Sequence, residues 1–344
     1  MRILVTGGAG YIGSVLVPRL VGHGHEVRVL DRMFWGVPHY ADLPGVELVN
    51  ADVRRMPEGV LDGIDAVDHL AGFSNDPTSE YSPGANWEMN AVATETIAAL
   101  CRAAGVRRLV FGSSCSLYDG IEAGERLLDE TTEVSPRGAY ATSKRYSEQA
   151  LLEAAGGGFE PVILRQATVF GRSERMRFDL VVNSFVKDAL IRQRLILHGG
   201  GRMWRPLVSV DDLANAHVAC LEAPGEAVAG EVFNVVQENY QVRELAEVVA
   251  AALVRLGKPV ALEDGPLPGI VRNYRCSGAK LRERLGLSFP TTVAHAVADL
   301  VDHYGRVPVE QLGHPRHYNI TWMELLEAVR PAFQAMNNIF EPLE

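Results

Sequence analysis

The chain has 344 residues, 47% hydrophobic and 22% charged, a balance that suits a globular protein burying one large core or two unequal lobes. Its formal net charge of −10 argues against a nucleic-acid partner, because phosphate binding needs clustered Lys and Arg. Four scattered cysteines suggest neither a disulfide framework nor a metal site, and no basic leader or apolar run of about 18 residues points to export or a membrane partner. A small-molecule partner in a reduced cytoplasm is the expectation.

Arg2–Thr6 is an apolar run that fits a buried strand, and it breaks into Gly7-Gly8-Ala9-Gly10 with Gly13 one turn further on. Glycines so spaced let the backbone turn tightly, approach a pyrophosphate and pack a helix closely on a sheet. The helix starting near Tyr11 directs its partly positive N-terminus at the phosphates. A second apolar strand ends in Asp31, whose carboxylate can hold a ribose 2′-hydroxyl, which favours NAD over NADP.

Further strands are expected at Val46–Asn50, Ala66–Leu70, Arg108–Gly112 and Pro161–Arg165, with helices at Tyr11–Val21, Gly84–Ala104 and Ala139–Ala155. This alternation predicts an α/β fold, a Rossmann-type doubly wound parallel sheet over 1–175, to which later segments can return. A smaller mixed α/β substrate lobe is expected over 176–313. A helical extension follows at 314–344, with Trp322, Leu325, Leu326, Val329 and Phe333 on one stripe that reads as core, without chemistry.

In a doubly wound sheet ligands meet the C-terminal ends of the strands. Four of those ends carry small or polar residues: Asp52-Val53, where the acid suits an adenine amino group; Leu70-Ala71-Gly72; Ser113-Ser114; and Gln166-Ala167-Thr168. The Ala139–Ala155 helix brings Tyr140 and Lys144 onto one face, one turn apart. A tyrosine is a poor base at its free pKa near 10, and a neighbouring cation favours its phenolate. That pair, with Ser114 on the same substrate oxygen, suits removal of an alcohol proton.

The chain resembles the extended short-chain dehydrogenase/reductases, specifically the NAD-dependent nucleotide-sugar epimerase/dehydratase family, over about residues 1–305. The resemblance rests on TGGAGYIG at 6–13, Asp31, DVR at 52–54, HLAG at 69–72, Asn90, SSCSLY at 113–118, YATSK at 140–144 and WRPLVSVDDLANAH at 204–217. It implies Ser114, Tyr140 and Lys144 as the catalytic set. It implies cofactor contacts at Gly7, Gly10, Tyr11, Ile12, Gly13, Asp31 and Arg32, then at Asp52, Val53, Leu70, Ala71, Gly72, Asn90, Tyr140, Lys144 and Gln166. Substrate contacts are implied at Ser114, Ser116, Asn183, Arg205 and Arg272, the last three on a diphosphate. A homodimer through the helices around 84–104 and 139–155 is a further implication.

Departures from the family's pattern bear on the reaction. Members that eliminate water carry an Asp-Glu pair after the catalytic Ser/Thr, and decarboxylating members keep the Glu; here Cys115 and Ser116 stand in those places, without a carboxylate. In epimerases that move a proton beside a ketone, a cysteine lies two residues before the tyrosine; here that place is Ser116, and Cys115 reads as a core residue. What remains is a nucleotide-sugar epimerase acting at C4 through a 4-keto sugar. The alternatives are a 4-dehydrogenase or 4-ketoreductase and, third, a catalytically silent NAD sensor.

Overall fold

A computed structural model describes residues 1–121, 126–267 and 272–340, with side chains up to residue 331. The principal sheet is built from β1 (Arg2–Thr6), β2 (Glu26–Asp31), β3 (Val46–Asn50), β4 (Ala66–His69), β5 (Arg108–Ser114), β6 (Glu160–Gln166) and β10 (Val232–Val235). Every pairing in it is parallel, in the order β10-β6-β5-β4-β1-β2-β3.

Strand period divides the apolar runs between two layers. Ile3 and Val5 enter one core while Leu4 enters the other; Val110 and Leu109 divide in the same way. The first layer is covered by Leu16, Val17 and Leu20 of the Gly13–Gly22 helix and by Leu213, Ala214 and Ala216 of the Val210–Glu222 helix. Ile97, Ala98 and Cys101 of the Ala93–Ala103 helix, with Leu151 of the Gly138–Glu153 helix, cover the second.

The expected helix over Gly84–Ala104 is subdivided. Short α-helices at Asp76–Tyr81 and Pro83–Asn86 lead into a π-helical stretch, Trp87–Val92, before α-helix resumes at Ala93. Such wide turns free backbone groups for side-chain partners. Here the Asn90 carbonyl accepts from the Ser147 hydroxyl at 2.7 Å, which seals the π turn against the next helix.

Beyond residue 166 the chain leaves the sheet and returns. β7 (Thr168–Phe170), β9 (Trp204–Ser209) and β11 (Glu238–Gln241) form a three-stranded sheet, and β8 (Arg194–His198) pairs with β12 (Ala261–Gly265). Between these excursions the Val210–Glu222 helix and β10 rejoin the large sheet, so a cut at 175 does not separate two halves. The C-terminal helix runs Asn319–Phe340; of its expected stripe, the Phe333 side chain lies outside the described residues. Among the described residues no helix is long and apolar enough to cross a membrane.

Candidate active site

Strand order reverses between β1 and β4, and the crevice there opens into a cavity of about 1110 Å³. A pocket for one drug-sized ligand is typically about 300–1,000 Å³, so this one has room for two ligands side by side. The glycine turn forms its floor. A Cβ on Gly7, where φ is +74°, would lie 2.6 Å from the Ala71 nitrogen, and one on Gly13 would lie 2.3 Å from the Gly8 carbonyl oxygen. Only glycine fits at either place. The buried Thr6 hydroxyl and His69 Nδ1 lie 2.6 Å apart and clamp the ends of β1 and β4 together. Burial pushes His69 down to about 3, so the clamp is uncharged at neutral pH.

At one end of the cavity Asp31 is held by the backbone N–H groups of Ala9, at 3.1 Å, and Met33, at 2.8 Å. Burial raises its carboxyl pKa, while those donors and Arg175 oppose the rise. Its carboxylate lines the cavity, as a ribose-diol acceptor must.

At the other end are Ser114, Tyr140 and Lys144, all on the cavity wall. Burial raises the Tyr140 phenol above its ordinary value, and a hydrogen bond with Ser114 and the Arg177 charge pull it back. Lys144 donates to the Gly112 carbonyl at 2.8 Å and lies 6.0 Å from the Tyr140 ring centroid. Burial brings its ammonium down to about 8, against the opposing pull of Glu148. Both groups are thus shifted toward their neutral forms, and a phenolate here draws on Ser114 and Arg177.

One turn beyond Lys144 on the same helix, the buried Glu148 carboxylate takes a bidentate pair from Arg165, at 2.9 and 2.8 Å, and a 2.6 Å hydrogen bond from the Ser113 hydroxyl. Arg165 also donates to the Tyr118 hydroxyl at 2.8 Å. This network fixes the end of β5, and with it Ser114, against the helix that carries Tyr140.

The sequence profile of the NAD dependent epimerase/dehydratase family matches residues 3–235. The chain belongs to this family. UDP-glucuronic acid decarboxylase 1 of Xenopus tropicalis is 31% identical over 230 residues, which are 64% of this chain and 54% of the decarboxylase. The match thus spans about half the length of that curated relative. Among solved structures, the UDP-glucose 4-epimerase of Thermus thermophilus in complex with NAD is 29% identical with a TM-score of 0.77, covering 90% of this chain and 100% of that one. The dTDP-glucose 4,6-dehydratase DesIV of Streptomyces venezuelae, with NAD and TYD bound, is 27% identical with a TM-score of 0.75, covering 89% and 98%.

An NAD-dependent family needs a cradle for a dinucleotide, and the described residues fit one. The glycine floor, Asp31, Arg32 and the ends of β3 to β6 face a single cavity: Tyr11, Ile12, Gly10, Val53, Leu70, Ala71, Gly72 and Gln166 all lie on its wall, as does Arg272.

Five positions expected to touch a ligand lie behind that wall instead. Asp52 caps the short turn at Val53–Arg55 and pairs with Arg54, at 2.7 Å, and Arg32, at 2.9 Å. The Asn90 amide holds the Phe73 backbone, accepting from its N–H at 2.8 Å and donating to its carbonyl at 3.1 Å. Asn183 is fully buried and ties the Gly171 N–H, the Arg177 carbonyl and the Tyr11 hydroxyl, which leaves its amide no free group for a diphosphate. Arg205 donates to the carbonyls of Trp204 and Arg272, propping the Arg272 loop rather than facing the cavity. Ser116 is buried beneath Ser114, its N–H bonded to the Ser114 hydroxyl oxygen at 3.1 Å.

Cys115 is also buried, its thiol donating to the Arg165 carbonyl at 3.1 Å, and burial raises its pKa. It stays protonated and serves as core. Arg272 reaches the wall paired with Asp76.

Residues that sequence reasoning passed over complete the wall. Arg175 and Arg177 come from the loop after β7, where they alternate with Met176, which is turned into the core between them. Arg177 makes a bidentate pair with Asp179, both bonds at 2.9 Å, and donates to the Ser74 hydroxyl at 3.2 Å. Trp35, Tyr274 and the C-terminal helix complete it. Glu148 was legible as the next step of the four-residue spacing Tyr140, Lys144, Glu148.

Proposed function

We propose that the chain is a nucleotide-sugar epimerase acting at C4. The observation that supports this reading is the company kept by Ser114, Tyr140 and Lys144: the carboxylates on the described wall are Asp31, at the opposite end, and Glu327, on the C-terminal helix. Among the described wall residues no acid stands beside the catalytic set to expel water, so the proton chemistry reduces to one reversible transfer.

Tyr140 takes the proton of the C4 hydroxyl, with Ser114 hydrogen-bonding the same oxygen and the charges of Lys144 and Arg177 favouring the phenolate. Bound NAD supplies the complementary chemistry, accepting a hydride from C4 and returning it. Returning the proton from Tyr140 after the 4-keto sugar has turned over gives the inverted alcohol. The size of the cavity allows that turn, and Arg272 offers a cation for the substrate's diphosphate. The helices carrying Trp87, Val92 and Leu100, all exposed, supply the seam of the proposed homodimer, which sedimentation analysis tests.

A second reading is a 4-dehydrogenase or 4-ketoreductase. One experiment separates them. The purified protein is incubated with a panel of nucleotide sugars while sugar configuration and free reduced cofactor are followed. Inversion without net reduced cofactor supports the epimerase; stoichiometric reduced cofactor with a ketone product refutes it. Absence of turnover together with retained NAD leaves the sensor.

A further inference from the structure

The C-terminal helix lies across the mouth of the cavity and is tied to both of its banks. On the Asp31 side, the Trp322 indole N–H donates to the Phe34 carbonyl at 2.7 Å, and its ring stacks on Trp35 with centroids 6.2 Å apart and planes 28° from parallel. The Arg175 guanidinium lies 3.6 Å above the Trp35 ring centroid and donates to Asn319 at 2.5 Å. Toward the substrate end, the Asn319 amide donates to the Ser74 hydroxyl at 2.8 Å, and the Tyr81 hydroxyl donates to Glu327. Trp322, Met323, Leu326 and Arg330 face the space below.

Those ties hold Trp322, Met323 and Leu326 against the ligand space below. Arg175 adds an independent observation: the residue is only 7% exposed and on the cavity wall, yet its Nε–H meets no hydrogen-bond partner among the described residues. A buried guanidinium on the wall of a ligand cavity suits an oxygen anion, which the diphosphate of a dinucleotide carries. Burial already pushes this guanidinium down to about 9, so a ligand anion beside it relieves a desolvated charge.

We propose that Asn319 and Trp322 of the C-terminal helix, together with Trp35 and Arg175, form a clasp over the dinucleotide that holds NAD in place from one turnover to the next. The clasp rests on NAD binding at the glycine turn and not on the reaction at C4.

The test needs no sugar. NAD retained through gel filtration is measured by acid release, and its dissociation is followed by chase with excess etheno-NAD. The wild-type chain is expected to emerge with its NAD bound. Trp322→Ala and Asn319→Ala are each expected to release NAD about tenfold faster, and Trp322→Phe to restore most of the retention, because it keeps the stack and loses only the indole hydrogen bond. Circular dichroism of all three variants controls for folding. Wild-type protein that emerges without NAD, or folded Trp322→Ala and Asn319→Ala variants releasing it less than about threefold faster than wild type, overturns the proposal.

Discussion

Replacing Glu148 by Gln isolates the network beneath the proposed catalytic residues. The carboxylate receives three close hydrogen bonds, from Ser113 at 2.6 Å and from Arg165 at 2.9 and 2.8 Å, inside a region where Glu148 is 0% and Arg165 4% exposed. Glutamine keeps the shape and one acceptor oxygen, but presents an NH₂ to a guanidinium that can only donate. Breaking one partner of a buried ion pair costs about 3–5 kcal/mol, and the retained acceptor places this change near the lower end, at about 3 kcal/mol. Denaturant unfolding measures it as a fall in midpoint at unchanged slope. The double variant Glu148→Gln with Arg165→Met is expected to recover a large share of the loss, because no uncompensated cation remains. A loss below about 1 kcal/mol in the single variant, or strict additivity in the double, refutes the reasoning.

Tyr140→Phe removes the hydroxyl proposed to act as base and is expected to lower kcat by about 10²–10⁴-fold with NAD still bound; turnover near the wild-type rate contradicts the assignment. Arg177→Met removes a charge that holds the Tyr140 pKa down. The phenol then rises further, so the base is formed only at higher pH and the acid limb of the kcat profile moves toward alkaline values; a profile that stays put rejects the coupling. Arg205→Ala withdraws the prop from the Arg272 carbonyl and is expected to raise substrate KM with little effect on NAD affinity, measured by calorimetry; an equal loss in both sinks it.

The succession of β1 to β6 along the chain was readable because a buried parallel strand needs an apolar run: Arg2–Thr6 has one and keeps its expected bounds, as does the less buried edge strand Val46–Asn50. Other features depend on partners far along the chain. The π turn at Trp87–Val92 rests on Ser147 reaching back to the Asn90 carbonyl, a contact 57 positions away. Motif identity likewise does not say which way an amide faces. Asn183 and Asn90 occupy expected positions, yet both spend their side chains on backbone groups that hold the wall. The C-terminal stripe was legible as amphipathic but not for what it covers: Leu325 is exposed, whereas Trp322, Met323 and Leu326 turn toward the cavity.

The return of β10 to the sheet has a consequence for biosynthesis. Until residues 232–235 have been made, the edge of β6 carries Val162, Ile163 and Leu164 in a strand whose outer hydrogen bonds to β10 are unmade. Arg108 likewise lacks the carbonyls of Cys220 and Ala223, to which it donates in the finished protein. A nascent chain that has already emerged through its glycine turn and Tyr140 therefore still offers a sticky apolar border to any neighbouring strand. The last stretch of the sheet to be synthesised is what covers the β6 border.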